Sequence, residues 1–258
     1  FSYFIFLHHF FVGIVLILSS TMKHLLPFSI IFLSLISCAK KNDDTIVNPI
    51  TPVGTIHKSY LALGDSYTIG ESVAETERFP VQTVQLLRAQ NIDISNPDII
   101  AVTGWTTGNL INALKDNSTK TNYSVVSILI GVNNQYQGRS LDEYKTEFAT
   151  LLTKAISYAG NNKGHVFVLS IPDYSVTPFA SGSYMIKVAQ EIDDFNAANK
   201  NISLNAGVHY LDITPTSRDA KRDPSLTAVD GLHPSGIQYK KWSDLLAPLM
   251  LKELQQVR

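Results

Sequence analysis

The sequence predicts an α/β fold, a three-layer sandwich in which helices cover a mostly parallel central sheet. Two observations support this class. From Tyr60 onward, short apolar runs alternate with longer amphipathic stretches, as in chains that alternate strands with helices. Several of these runs are apolar nearly throughout, as expected for strands that are buried on both faces. We expect strands at residues 60–63, 99–102, 125–130, 165–171 and 209–213.

Three helices are predicted from apolar residues that recur at helical spacing. Ser140, three residues before a glutamate, has the spacing of a capping box at the start of the first helix. The second helix should end near Gly207, and Ser235 should cap the third, which Pro248 should kink. The apolar positions are Leu141, Tyr144, Phe148, Leu151, Leu152 and Ala155; Val188, Ile192, Phe195 and Ile202; and Trp242, Leu245, Leu246 and Leu249.

Composition limits the class of protein. The chain has 258 residues, 45% hydrophobic and 17% charged, which is enough to bury one sizeable core and too apolar for a disordered chain. The 21 Lys and Arg against 22 Asp and Glu leave no positive excess to neutralise nucleic-acid phosphates. The single cysteine, Cys38, excludes an internal disulfide and a zinc site made of several thiolates. We expect no nucleic-acid partner, and no residue pattern indicates a metal site or a cofactor.

The first 37 residues have the composition of a targeting segment. Lys23 is their only formal charge, and Met22 begins a short basic start followed by a largely apolar run at residues 25–36. These are the proportions of a secretory signal, and twelve residues are too few to span a bilayer as a helix. We expect the native chain to start at Met22; the alternative is that residues 1–21 extend a longer membrane anchor.

Cys38 ends this segment in the sequence Leu35-Ile36-Ser37-Cys38, which resembles the bacterial lipobox. The resemblance implies that Cys38 is lipidated and that the protein is exported to the cell envelope and anchored to a membrane. The alternative is a buried or free cysteine. On this interpretation residues 1–37 are the upstream stretch and signal, 38–57 a linker and 58–258 the domain.

Chemically versatile residues occupy four separated positions of the domain. Ser66 directly follows the first predicted strand, Gly104 follows the second, and Asn133 follows the third. Asp230 and His233 stand together in the sequence Asp-Gly-Leu-His-Pro before the last helix. Because functional groups gather beyond the carboxyl ends of parallel strands, we expect these residues to meet at one edge of the sheet.

This set suits nucleophilic catalysis. A serine hydroxyl is a weak nucleophile and needs a base, so Ser66 and His233 form the expected pair, with Asp230 orienting the imidazole. The backbone N–H groups of Ser66 and Gly104 and the side-chain amide of Asn133 are the expected donors to a developing oxyanion. Each residue also has a plain structural alternative: a surface histidine, a turn at Asn133, and for the neighbouring Asp65 a helix cap.

Taken together and in this order, the four segments resemble the sequence blocks of the SGNH, or GDSL, hydrolase family. The resemblance covers the chain from about Tyr60 to the last helix. It implies a flavodoxin-like α/β fold and a serine ester hydrolase that forms an acyl-Ser66 intermediate without a cofactor. Two positions depart from the family pattern: Asn134 stands where Asp is usual, and Tyr67 where the eponymous motif has Leu. Thr68 removes the last glycine of the GxSxG motif of ordinary α/β-hydrolases.

The same residues leave the reaction partner open. A lipid-anchored binding protein without turnover and an acyltransferase that uses an alcohol in place of water remain alternatives, and a small-molecule, glycan or lipid ester would fit. We expect a monomer. Tyr67 and Trp105 are candidates for the pocket wall, and residues 68–79, 135–139 and 173–183 are the segments expected to shape it.

Overall fold

The computed structural model describes residues 57–116, 121–180, 182 and 184–256, which belong to one compact unit. Five strands form a single sheet in the order β2-β1-β3-β4-β5, and every pair of neighbours is parallel. This confirms the predicted α/β class. The strands are β1 (Tyr60–Gly64), β2 (Asp98–Ala101), β3 (Val125–Leu129), β4 (Val166–Leu169) and β5 (His209–Leu211).

Eight α-helices are described alongside the sheet. They are α1 (Ser66–Ile69), α2 (Phe79–Ala89), α3 (Thr107–Asp116), α4 (Val132–Tyr136), α5 (Leu141–Tyr158), α6 (Tyr184–Ala206), α7 (Thr214–Arg218) and α8 (Gly236–Gln255). Helix α2 packs against α8, whereas α5 packs against α3 and α6, so the long helices form two groups. Crossover connections between parallel strands are right-handed, so connections that run in opposite directions along the sheet lie on opposite faces of it. Helices on both faces and the sheet between them make three layers.

The apolar runs became strands because their side chains are covered from both sides. All residues of β1, β3 and β4 are buried, while β2 and β5, at the two edges, are partly exposed. The fourth strand begins one residue later than predicted, because residues Lys163–His165 form a 3₁₀ turn. None of the helices in the described part of the chain is both long enough and apolar enough to cross a bilayer.

The three long helices follow the predicted pattern, with two differences. Ser140 caps α5 by accepting the Glu143 N–H, but the Glu143 carboxylate pairs with Arg139 and does not complete the capping box. Ser235 caps α8 in the same way, through the Gln238 N–H. On α8 the prediction for Leu245 was wrong, since it is 40% exposed and the buried stripe continues through Met250. Helix α8 includes Pro248, and the predicted kink there stays a prediction.

Candidate active site

The strand order places a crevice beside β1. Strand β2 pairs with one edge of β1, and β3 pairs with the other edge. The direction in which the chain adds strands to the sheet therefore reverses between β1 and β3. In open parallel sheets, ligands bind at such a reversal, outside the carboxyl ends of the strands. Ser66 begins helix α1 directly after β1, Gly104 lies in the loop after β2, and Asn133 lies in helix α4 after β3.

Ser66 is the first residue of α1 and is 5% exposed. Asp65 caps this helix by accepting the Tyr67 N–H at 3.1 Å, which confirms the capping role that the sequence suggested. The preceding Gly64 has no room for a side chain, because a Cβ there would lie 2.4 Å from the Leu129 carbonyl oxygen of β3. A close approach of β1 to β3 therefore fixes where the nucleophile candidate emerges from the sheet.

The expected oxyanion donors lie in the two neighbouring loops. Gly104 has a φ of +83°, and a Cβ at this position would meet no atom within 4 Å, so the left-handed backbone, and not crowding, favours glycine. Asn133 donates one amide hydrogen to the Trp105 carbonyl at 3.0 Å. That bond orients the amide and links the loop after β3 to the loop after β2.

The loop before α8 holds the base candidate. His233 Nδ1 and Asp230 Oδ2 are 2.6 Å apart, and Asp230 Oδ1 accepts the backbone N–H groups of Leu232 and His233 at 2.9 and 3.0 Å. The His233 N–H is thus bound by the carboxylate that also contacts its ring. The His233 ring packs edge-on against Tyr67, with centroids 5.7 Å apart. The carboxylate fold-back predicted from the three-residue spacing is present in this geometry.

The two carboxyl groups of the site have opposite electrostatics. Partial burial would raise the pKa of Asp230, but hydrogen bonds from the His233 ring, the Leu232 N–H and the Ser72 hydroxyl hold that pKa well below its usual value. Burial raises the pKa of Asp65 to about 7, although nearby backbone N–H groups act in the opposite direction. Asp65 Oδ2 has no hydrogen-bond partner in the described part of the chain.

The predicted site residues surround one cavity of about 180 Å³. Ser66, Gly104, Asn133 and His233, which come from four separate segments of the chain, all line it, and Asp230 contacts His233. Its full lining consists of Ser66, Tyr67, Thr103, Gly104, Val132, Asn133, Tyr136, Tyr174, Phe179, Leu232 and His233. A hydroxyl, an imidazole and amide donors around one cavity are the functional groups that acyl transfer requires.

Comparison with protein families agrees with this geometry. Residues 62–241 match the model of the GDSL-like lipase/acylhydrolase family, which is more than half of the chain. The chain belongs to that family. Membership supports hydrolase activity, and the matched range includes all four segments that carry the candidate site residues. A comparison with curated protein sequences found no significant match.

Several solved structures share the fold. An esterase, EstA, from Pseudoalteromonas sp. is 18% identical with a TM-score of 0.54, over 77% of this chain and 97% of its own. The acetylxylan esterase Axe2 from Geobacillus stearothermophilus is 20% identical with a TM-score of 0.56, over 79% and 97%. A G-D-S-L family protein from Veillonella parvula is 18% identical with a TM-score of 0.56, over 78% and 100%. At these identities the similarity shows the fold.

The departure from the family pattern at Asn134 is accommodated by its neighbours. Asn134 is fully buried, accepts the Thr107 N–H at 3.0 Å and donates to the Thr107 hydroxyl at 2.6 Å. The Thr107 hydroxyl in turn donates its own hydrogen to Glu147. Since that hydrogen is already used, an amide that donates fits this position, whereas a carboxylate would add a second acceptor. The loop after β3 therefore keeps its support.

A turn that sequence reasoning missed joins three parts of the site. The N–H groups of Gly70 and Glu71 both donate to the Ser66 carbonyl at 3.0 Å. The Glu71 carboxylate accepts the hydroxyl of Thr103, next to Gly104, and the Ser72 hydroxyl donates to Asp230 Oδ2 at 2.7 Å. Ser72 adopts a left-handed φ of 65°, a conformation that costs free energy for a non-glycine residue. We call residues 70–72 the linking turn.

The pocket wall differs in part from expectation. Tyr67 lines the cavity, but Trp105 does not; it packs against the core as a partly buried residue. Residues 135–139 contribute Tyr136 and residues 173–183 contribute Tyr174 and Phe179, while residues 68–79 supply no lining residue and act through the linking turn. Among the described residues, no group of three His, Cys, Asp or Glu could hold a metal ion. Cys38, the signal segment and nearly all of the linker lie outside the described residues.

Proposed function

We propose that this family member is a serine esterase that hydrolyses a carboxylic ester through an acyl-Ser66 intermediate. The observation that carries the proposal is the shared cavity of Ser66 and His233, with His233 Nδ1 held 2.6 Å from Asp230. An ionised Asp230 favours the tautomer in which Nδ1 carries the hydrogen. That tautomer leaves Nε2 free to accept a proton.

In the first half-reaction Ser66 Oγ attacks the ester carbonyl carbon and His233 Nε2 takes the hydroxyl proton. The carbonyl oxygen becomes negative and accepts hydrogen bonds from the Ser66 and Gly104 N–H groups and the Asn133 amide. The carbon–oxygen bond to the alcohol then breaks, and the alcohol leaves with the proton from His233. In the second half-reaction a water molecule gives a proton to His233 and attacks the acyl carbon. The bond from that carbon to Ser66 Oγ then breaks, His233 returns the proton to Ser66, and the acid is released.

The test is hydrolysis of a short-chain p-nitrophenyl ester by the full chain and by Ser66→Ala and His233→Ala. We expect both variants to lose activity by about 10³-fold or more, because each removes a group that acts only as part of the unit. The matched controls are Ser157→Ala, on the exposed end of α5, and His57→Ala, whose ring pairs with Asp93 at 2.9 Å before β1. Equal rates in all five proteins would refute the proposal.

A labelling experiment separates an esterase from a binding protein. EstA has been solved in a form inhibited by monoethylphosphonate. By analogy, a fluorophosphonate probe should label Ser66 here. Labelling that disappears in Ser66→Ala supports the nucleophile. No labelling, together with tight binding of an ester, would favour the binding protein. Product analysis with an added alcohol distinguishes hydrolysis from acyl transfer to that alcohol.

We also propose that Cys38 carries a lipid that anchors the domain in a bacterial cell envelope. The support is the sequence alone: a short basic start at Met22, an apolar run and a lipobox-like ending. Expression in a bacterial host with a labelled fatty acid tests it, since the wild type should incorporate the label and enter the membrane fraction. Cys38→Ser should do neither, and label in that variant would contradict the proposal.

A further inference from the structure

Three aromatic side chains form one side of the catalytic cavity. Tyr136 ends α4, Tyr174 begins the 3₁₀ turn Tyr174–Val176, and Phe179 follows it. The ring centroids are 6.3 Å apart for Tyr136 and Tyr174, 6.2 Å for Tyr136 and Phe179, and 6.3 Å for Tyr174 and Phe179. We call these three residues the aromatic wall.

Two members of the aromatic wall are unusually accessible for their size. Tyr136 is 54% exposed and Phe179 48% exposed, whereas Tyr174 between them is 3% exposed. Aromatic surface in contact with water is unfavourable, so a cluster of such side chains at a cleft indicates a surface that a ligand covers. Because both exposed rings line the cavity that contains Ser66 and His233, the covering group is part of the ester.

Hydrogen bonds hold two parts of the aromatic wall in place. The Tyr174 hydroxyl donates to Gln135 Oε1 at 2.9 Å, and Gln135 Nε2 donates to Glu191 on α6 at 2.8 Å. The Phe179 N–H donates to the Gly231 carbonyl at 2.9 Å, inside the loop that carries His233. The Tyr174 ring and the Phe179 backbone are thus ordered in advance, which lowers the entropic cost of binding a ligand there.

The volume sets the size of the group. The cavity holds about 180 Å³, and an apolar protein cavity of roughly 150 Å³ is known to accept benzene. The rings meet at steep angles, 51° to 72°, so they form an uneven surface that suits a compact apolar group and do not offer a flat platform for a sugar. The acyl group occupies the site in both half-reactions, whereas the alcohol leaves in the first, so the cleft next to Ser66 suits the acyl group.

We propose that the aromatic wall is an acyl subsite and that the substrates are esters of apolar acids with about six carbons, such as hexanoyl or benzoyl esters. This inference rests on the proposed esterase function. Acetyl esters leave most of the cavity unfilled. The wall therefore acts as a specificity determinant, and the chemistry itself belongs to the groups around Ser66.

The test is kcat/KM for p-nitrophenyl esters from acetyl to decanoyl, so that the alcohol stays constant. Each added methylene should raise kcat/KM about two- to fourfold as far as hexanoyl, since burying a methylene contributes up to about 0.8 kcal/mol, and longer chains should give no further gain. Tyr136→Ala and Phe179→Ala should each lower the hexanoyl-to-acetyl ratio at least fivefold. Tyr136→Phe, which keeps the ring, should preserve the ratio.

The matched control is Leu204→Ala, which removes an exposed apolar side chain near the far end of α6. It should leave the ratio unchanged. Two results would refute the acyl subsite: the same kcat/KM for every acyl length, or an unchanged hexanoyl-to-acetyl ratio in both alanine variants. If Ser66→Ala still abolishes turnover, the esterase proposal stands in either case. Sensitivity to the alcohol and not to the acid, in a second series of acetyl esters, also overturns the acyl subsite. No hydrolysis and no fluorophosphonate labelling would overturn both proposals.

Discussion

Asp65 precedes the proposed nucleophile by one residue and Asp230 precedes the proposed base by three, yet the two carboxyl groups lie in opposite environments. Asp65 is 1% exposed, and one of its carboxyl oxygens has no hydrogen-bond partner among the residues that the structure describes. Its pKa is raised to about 7. Asp230 lies in a partly exposed loop, accepts bonds from His233, Leu232 and Ser72, and has a lowered pKa. Around pH 6, Asp65 is mostly neutral while Asp230 is a carboxylate.

The difference teaches that proximity to a catalytic residue does not assign a role. A carboxyl group buried beside the sheet without a cation gains by keeping its proton, so Asp65 serves the fold as a helix cap. A carboxyl group surrounded by donors gains by losing its proton, so Asp230 can stabilise an imidazolium on His233.

Asp230→Asn should lower kcat by about 10⁴-fold, the cost of an amide that favours the wrong histidine tautomer in serine hydrolases of this kind. Asp65→Asn should cost less than tenfold, because asparagine caps a helix as well as aspartate does. Both are measured on the ester that the wild type hydrolyses best. Asp93→Asn, at the His57–Asp93 pair, is the control and should leave kcat unchanged. Equal losses in the Asp65 and Asp230 variants would remove the contrast.

Asn133→Ala should lower kcat by about 100- to 1,000-fold, the usual cost of losing one oxyanion donor. The amide also holds the Trp105 carbonyl, so Asn133→Ala loosens the loop of Gly104 as well. Asn112→Ala, an exposed position on α3, serves as the control and should keep the wild-type rate. A loss below threefold in the Asn133 variant would show that its side chain is not a donor to the reacting oxygen.

The sequence predicted the parts of the molecule that depend on local pattern. Strands β1, β3 and β4 are near-continuous apolar runs because both faces are covered, and that pattern is readable without coordinates. The four segments of the site could be recognised from residue types such as Ser66 and His233. Leu245 was misplaced because an apolar residue at helical spacing can still lie at the margin of the buried face.

Long-range contacts of ordinary residues were beyond sequence reasoning. Ser72 and Asp230 are 158 positions apart, and nothing in a polar loop distinguishes a serine that binds a catalytic carboxylate from one that binds water. The aromatic wall was foreseen as two loop segments but not as three rings in contact, since Tyr136 and Phe179 meet only through the fold. Trp105 is a residue type that often lines pockets, but here it packs against the core.

The linking turn offers a smaller test of the contrast. Ser72→Gly removes the hydroxyl that donates to Asp230 and also relieves the left-handed φ of 65°, so it should lower kcat about three- to tenfold with little change in KM while keeping or raising thermal stability. Ser72→Ala removes the same hydroxyl without relieving the backbone and should lose as much kcat. Wild-type kcat in the glycine variant would show that only the backbone of this residue matters.

The last test uses the pH dependence of stability. The pKa of Asp65 is about 7 in the folded protein and about 3.9 in an unfolded chain. Between these values the folded state binds the extra proton, so stability falls as pH rises and the full cost is reached above pH 7. Relative to Asp65→Asn, the wild type should lose about 2 to 3 kcal/mol of unfolding free energy between pH 5 and pH 8.

Asp230 has the opposite sign, because its pKa is lowered on folding. Its stabilising contribution is complete above about pH 5 and is lost on acidification below the unfolded value. Urea titrations of the wild type, Asp65→Asn and Asp230→Asn at pH 3 to 8 therefore separate the two groups: the Asp65 difference changes mainly between pH 4 and 7, and the Asp230 difference only below pH 4. Parallel curves for wild type and Asp65→Asn would mean that Asp65 is ionised at neutral pH, and the two carboxyl groups would then share one electrostatic role.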